Sequence, residues 1–123
     1  MEKAQITYDE TSDTLIIAFE PGKMATGIEL NEHILLRIDK KGRKAIGITF
    51  LDYSLLAQKA DYGPRSFPIT GLGELPEDLR KLVVDILQSP PVSDFLVLST
   101  YTPSYAEMIP ITSFHKLPMS IAG

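Results

Sequence analysis

The segment ITYDETSDTLIIAF, Ile6 to Phe19, brings three carboxylates, Asp9, Glu10 and Asp13, into five residues. Acidic side chains this close can share a proton as general acid and base, hold part of a metal site, or accept backbone N–H groups in a tight turn. A catalytic pair needs surroundings that drive its two pKa values apart, usually by burying one group, and a polar hairpin turn buries little. The calcium reading fails on spacing, because the D-x-[DN]-x-[DN]-G loop and its distant bidentate glutamate are missing. Turn capping is the reading that the local sequence favours. Asp39 and Asp52 stand at the ends of later strand-like runs and join Asp9 and Asp13 as candidate polar positions, structural or functional. An enzyme acting through these carboxylates needs at least two of them to converge in a pocket.

The strongest charge cluster is RIDKKGRK, with five basic residues and one acidic in eight positions. Lys40, Lys41, Arg43 and Lys44 make it a candidate basic patch for phosphate or nucleic acid, although lysines at a hairpin tip also guard strand edges. No aromatic residue interleaves with these charges, so the stacking platform of single-strand binders is missing, and the net charge of −4 weighs further against a nucleic-acid partner. Of the two histidines, His33 begins a strand and His115 lies near the C-terminus, with no spacing that pairs them as ligands. Neither a nucleophile elbow nor a P-loop surrounds any serine. GLGELP, Gly71 to Pro76, has Gly-x-Gly before a helix but lacks the third glycine and the preceding strand of a dinucleotide site. Tyr101 and Tyr105 around TPSY suit either a binding surface or a loop staple. Cysteine is absent, which excludes disulfides, thiolate metal sites and cysteine nucleophiles. No cofactor and no metal site is expected.

These side chains must be positioned by a chain of 123 residues, a length that forms one domain by default. Ala4, Ile6 and Tyr8 alternate with polar neighbours, and Leu15, Ile17 and Phe19 repeat the pattern after DETSD, so a β-hairpin is the expected opening. Thr26, Ile28 and Leu30 form a third strand-like run after Pro21-Gly22, and Ile34, Leu36 and Ile38 a fourth. Beyond DKKGRK, where Gly42 is expected to take the left-handed position of the loop, Ile46, Ile48 and Phe50 share one face of a fifth. Five strands joined by short turns predict an antiparallel β-meander. The opposite face, with Thr7, Ile16, Ala18, Leu35, Ala45, Gly47, Thr49 and Leu51, is drier than a solvated face should be.

After Phe50 the period changes. Asp52 is placed to cap a short helix through YSLLAQ. The clearest helix runs from Pro76 to about Gln88, with Glu77 and Asp78 in its first turn and Leu79, Leu82, Val83, Ile86 and Leu87 on one stripe. Such a stripe must lie on a sheet. DFLVLSTY reads as a strand, and Pro110 in EMIPITSF restricts a last strand to an edge or a bulge. The fold class is α+β: a five-stranded meander core over 5–56, then a helix-strand extension over 57–123 with one or two C-terminal strands, in a single domain of 1–123. The longest apolar runs fall far short of the ~20 residues of a spanning helix, and no signal peptide is visible, so a cytoplasmic address without membrane contact is expected.

ITYDETSDTLIIAF, IELNEHILLRID and KKGRKAIGITFLDYSLL together resemble the bacterial family designated domain of unknown function 2283 (DUF2283), over about residues 5–56. Tyr8, Asp9, Asp13, Asp39, Gly42, Gly47, Ile48, Leu51 and Asp52 match its pattern, and Ile16 stands where the family often has tyrosine. The resemblance implies the meander and carries no established activity. The leading functional expectation is a non-catalytic module that associates as a homo-oligomer, motivated by the partly apolar second face. The alternatives are a regulatory, antitoxin-like protein that binds a partner, and a carboxylate-dependent enzyme. No sequence feature identifies a small-molecule ligand.

Overall fold

The computed structural model describes residues 4–60, 63–64, 66–104 and 107–114. Two compact units divide the chain, Met1–Leu56 and Ala57–Gly123.

The first unit contains β1 (Gln5–Asp9), β2 (Thr14–Ala18), β3 (Thr26–Glu29), β4 (Ile34–Asp39), β5 (Lys44–Phe50) and the single turn α1 (Tyr53–Leu56). All five strands pair antiparallel in the order β1-β2-β5-β4-β3. The chain turns by hairpin at every step but one. From β2 it passes to the far edge through the Pro21-Gly22 break, where Gly22 takes φ 79°, and returns by β3-β4-β5 to pair with β2. The period-two pattern becomes two cross-strand rows, Tyr8–Leu15–Phe50–Ile34 and Ile6–Ile17–Ile48–Leu36–Ile28. Leu15, Ile17, Leu36, Ile48 and Phe50 have no exposed surface. Each fully buried side chain of this type contributes about 1.5–3 kcal/mol, which makes this face the main source of the unit's stability.

One irregularity re-phases β5. Arg37 pairs with Gly47 but Ile38 pairs with Ala45, which leaves Ile46 unpaired in the ladder with β4. The Ile46 carbonyl instead accepts the N–H groups of Phe19 at 2.8 Å and Glu20 at 3.2 Å, fixing the chain as it leaves β2. The extra residue also moves Ala45, expected on the second face, into register with the buried Ile38, and Ala45 itself is buried. Beside the bulge, Gly47 lies so close to β2 that a Cβ there would stand 2.7 Å from the Ile17 carbonyl oxygen. No rotamer relieves a Cβ clash with backbone.

The second unit contains two short strands, β6 (Lys59–Ala60) and β7 (Gly63–Pro64), paired with each other. It also has a three-stranded sheet of β8 (Ser66–Pro68), β10 (Glu107–Phe114) and β9 (Leu96–Ser104), in that order. Its helix α2 spans Glu77–Leu87, with Pro76 one residue outside it as the N-cap rather than inside. Leu82, Val83, Ile86 and Leu87 are buried, and α2 lies beside β9 and two 3-10 turns at Thr70–Glu74 and Val92–Asp94. Arg80 ties the helix to the first of these turns, its guanidinium donating to the carbonyls of Leu72 (3.2 Å) and Leu75 (3.0 Å).

Pro110 sits in the central strand of this sheet, although an edge or a bulge was expected. β8 explains why the missing N–H is tolerated, since its pairing with β10 begins only at Ile111 and leaves Pro110 beyond the short strand's end. The Pro110 carbonyl still accepts the Ile69 N–H at 3.0 Å, and the register against β9 shifts between Glu107 and Ile109. The side chain of Tyr101, and all of Tyr105 and His115, lie outside the described residues.

The Gly47 contact yields a contrast in stability. Gly47→Ala is expected to cost about 2 kcal/mol, as overpacking against rigid backbone does. Gly73→Ala, where a Cβ meets open space, should leave the melting temperature nearly unchanged. Thermal unfolding of the two variants checks this.

Candidate functional site

Two of the three hairpin loops of the first sheet match in length at four residues, 10–13 between Asp9 and Thr14 and 40–43 between Asp39 and Lys44. Each begins with an aspartate whose Oδ1 accepts a loop N–H, Thr11 N to Asp9 at 3.0 Å and Gly42 N to Asp39 at 3.1 Å. Each ends with a residue in the left-handed region, Asp13 at φ 54° and Arg43 at φ 54°. Gly42 therefore does not occupy the left-handed position, as had been expected of it. Its lack of a Cβ leaves room for the aspartate, since a Cβ would lie 2.6 Å from Asp39 Oδ2 and the carboxylate would have to shift.

Asp13 differs from the other turn residues in where its carboxylate goes. It leaves its own loop and receives the N–H of Ser54 at 3.1 and 3.2 Å, the Ser54 hydroxyl, and the Tyr8 hydroxyl at 2.6 Å. Its carbonyl also accepts the Tyr53 N–H at 2.9 Å. Asp13 thus caps α1 from 41 residues away and closes the first hairpin onto the end of β5. Aromatic packing surrounds the clasp: Tyr53 is fully buried, edge-on to Tyr8 at 6.0 Å and tilted against Phe50 at 6.5 Å.

Asp52, expected as the side-chain cap of α1, does something else. Its carbonyl accepts the N–H groups of Leu55 (3.0 Å) and Leu56 (3.3 Å), which closes the turn. Its side chain, at φ 55°, brings Oδ2 to 3.2 Å from Nδ1 of His33. That nitrogen is buried, and the approach falls outside hydrogen-bond alignment. His33 is in turn placed by Asn31, whose Oδ1 accepts the N–H groups of His33 (2.8 Å) and Ile34 (2.9 Å).

The electrostatics of the clasp oppose acid–base work. The Ser54 hydroxyl, then the Tyr8 hydroxyl, hold the Asp13 carboxyl below its ordinary range, against a smaller opposing effect of burial. Tyr8 is pushed up to about 12, first by its bond to Asp13, then by burial and by the neighbouring carboxylates. A general base poised near neutral pH needs a raised carboxyl, and a general acid a lowered phenol. This pair is shifted in the other direction on both counts.

Topology also separates the candidates. The loop carrying Asp9 and Asp13 lies at the Phe50 end of β5, as does Asp52, whereas Asp39 lies at the Lys44 end. The seven residues of β5 put roughly 20 Å between these ends at about 3.3 Å per residue. At the Asp39 end, the loop N–H of Gly42 lowers the Asp39 carboxyl most strongly. Of the basic patch, Lys44 is engaged by Glu20 at 2.9 Å, a pairing that raises the lysine and lowers the glutamate, and Lys23 meets the same glutamate at 3.3 Å. Lys40 and Lys41 border an open cleft of about 360 Å³ with Met24, Ala25, Thr26, Ile38 and Asp39. Arg43 stands in the loop between them and Lys44. Among the described residues, no group of three or more His, Asp or Glu is placed to hold a metal ion, and no helix is long and apolar enough to cross a membrane.

The clasp makes two linked predictions. Folding lowers the Asp13 pKa, so its stabilisation is full above the unfolded value of about 4 and is lost as pH falls through the native one. Asp13→Ala should cost about 2 kcal/mol at pH 7, the upper end for a deleted cap, and its stability gap to the parent should close in acid denaturation. The raised Tyr8 pKa gives the opposite sign, stabilisation full below about 10 and lost as pH rises toward about 12. NMR titration of the Tyr8 ring should find its phenol ionising above the ordinary tyrosine range, and Asp13→Ala should return it toward that range.

Residues 5–54 match the model of the family described as Protein of unknown function (DUF2283). No curated protein and no solved structure matches the chain. The matched segment begins with β1 and ends inside α1, so it spans the five-stranded sheet and both partners of the Asp13 clasp. The resemblance drawn from the turn and strand motifs is thereby borne out: residues 5–54 carry the DUF2283 pattern, and the residues after them lie outside the match.

Proposed function

We propose that this protein acts by association, as a non-catalytic module that assembles with further copies of itself. The observation that carries this reading is the set of large apolar side chains exposed on the first unit. On the second face of its sheet, Ile16 and Leu35 flank Thr49 on the neighbouring strands; Ile16 is 38% exposed and Leu35 half-buried. Leu51 lies two residues beyond Thr49 and is 43% exposed, and the next row across the face is Gln5, Ala18, Gly47, Arg37 and Gly27. Removing such side chains from water yields about 25 cal/mol per Å², a gain that a partner surface realises. Further support comes from the carboxylates, because Asp9, Asp13 and Asp39 each accept backbone N–H groups.

Sedimentation equilibrium across micromolar concentrations tests the reading. The expected result is a mass that rises with concentration toward at least twice the 13.6 kDa of one chain. A monomer at every concentration would overturn it.

A further inference from the structure

The two edges of the first sheet are not alike. Ile6 and Ile28 end the same cross-strand row, on β1 and β3, yet Ile28 is 4% exposed and Ile6 is 43% exposed. β3 is four residues long and contains Gly27 and Glu29. β1 has five residues, QITYD, with no proline, glycine, lysine or bulge, and Gln5, Ile6, Thr7 and Asp9 are exposed. Natural sheets guard such an edge with charge, proline, a bulge or a covering segment, because its unpaired N–H and C=O groups offer a template for another strand. On β1 only the terminal Asp9 carries charge.

The strand also complements itself. In an antiparallel pairing of two β1 strands centred on Thr7, Gln5 faces the partner's Asp9, an amide opposite a carboxylate. Ile6 faces the partner's Tyr8 on the side of the core rows, and Thr7 faces the partner's Thr7 on the second face, a pair that strands favour. The two Asp9 carboxylates fall at opposite ends, about 13 Å apart at 3.3 Å per residue, so they do not repel at close range.

We infer that β1 is the seam of a symmetric dimer, in which two copies join their first sheets edge to edge into one ten-stranded antiparallel sheet. This rests on the self-association proposed above and adds a second surface to it, the β1 edge, distinct from the face that carries Ile16, Leu35 and Leu51. The seam covers Ile6, continues both core rows across the two-fold axis, and is isologous, so it closes at two copies. A five-residue ladder is short, and the dimer is accordingly a concentration-dependent one.

Thr7 is the position at which the idea can be tested, because it is exposed and meets its own copy on the axis. Thr7→Lys and Thr7→Glu each place like charges directly opposite in the dimer, while in the separate chain they change one exposed side chain. Sedimentation of the parent, of each variant and of their equal mixture reads the outcome. The parent is expected to dimerise, each variant alone to weaken dimerisation at least tenfold, and the mixture to regain it, since lysine then faces glutamate. Recovery in the mixture also shows that both variants are folded. Variants that dimerise like the parent would overturn the β1 seam while leaving self-association by another surface standing. Folded variants that fail to recover on mixing would overturn the seam as well. A parent that stays monomeric would overturn both readings.

Discussion

A single carboxylate holds the end of the first sheet together. Asp13 stands in the left-handed region at the close of the first hairpin loop, and there its side chain meets the first turn of α1. Without it, the Ser54 N–H at the start of a one-turn helix would lack its partner, and a helix this short cannot sustain itself by its own hydrogen bonds. The same carboxylate receives the Tyr8 hydroxyl, and Tyr8 packs on Tyr53, which is buried against Phe50. Hairpin, strand end and helix are thus linked through one ionised group whose donors hold it in the charged form.

The residues on which the resemblance to DUF2283 rests acquire physical content from this arrangement. Tyr8 and Asp13 are the two halves of a hydrogen bond, Asp9 closes its own loop, and Asp39 and Gly42 form a second loop of the same length in which the glycine gives the carboxylate room. Gly47 is required where β5 crowds the Ile17 carbonyl, and Ile48 fills the core beside it. Asp52 closes α1 with its carbonyl and approaches His33 with its side chain. Each of these residues has a role in folding. Taken together they specify a sheet with two clasped loops at opposite ends, in which the carboxylates of Asp9, Asp13 and Asp39 cap N–H groups.

Strand existence was legible because the core rows demand it: Leu15, Ile17, Leu36, Ile48 and Phe50 can share a buried face only with period two. The helix at Glu77–Leu87 was equally plain from its stripe and its acidic first turn. The bulge at Ile46 was not, since an extra residue in a strand leaves no mark in composition, and it moved Ala45 to the buried side. Gly42 misled because glycine serves two needs, a positive φ and the absence of a Cβ, and here the second applies while Arg43 takes the strained angle. Pro110 shows the same lesson for the second unit, where the length of a neighbouring strand, invisible locally, decides whether a missing N–H matters. The clasp itself was half visible. Capping chemistry marked Asp13 as a turn residue, but its actual partner lies 41 residues on, and only the pairing of β2 with β5 brings Ser54 within reach.

The claim on which the rest depends is that Asp13 stabilises the sheet end through Ser54. A double-mutant cycle on Asp13→Ala and Ser54→Ala, read by urea unfolding at neutral pH, isolates that interaction from the backbone cost of each substitution. A coupling of at least about 1 kcal/mol is predicted, because removing the carboxylate leaves the serine hydroxyl nothing further to lose. Additive effects, with a coupling within about 0.3 kcal/mol of zero, would contradict the Ser54 hydroxyl's part in the clasp and leave the carboxylate only the Ser54 N–H and the Tyr8 hydroxyl.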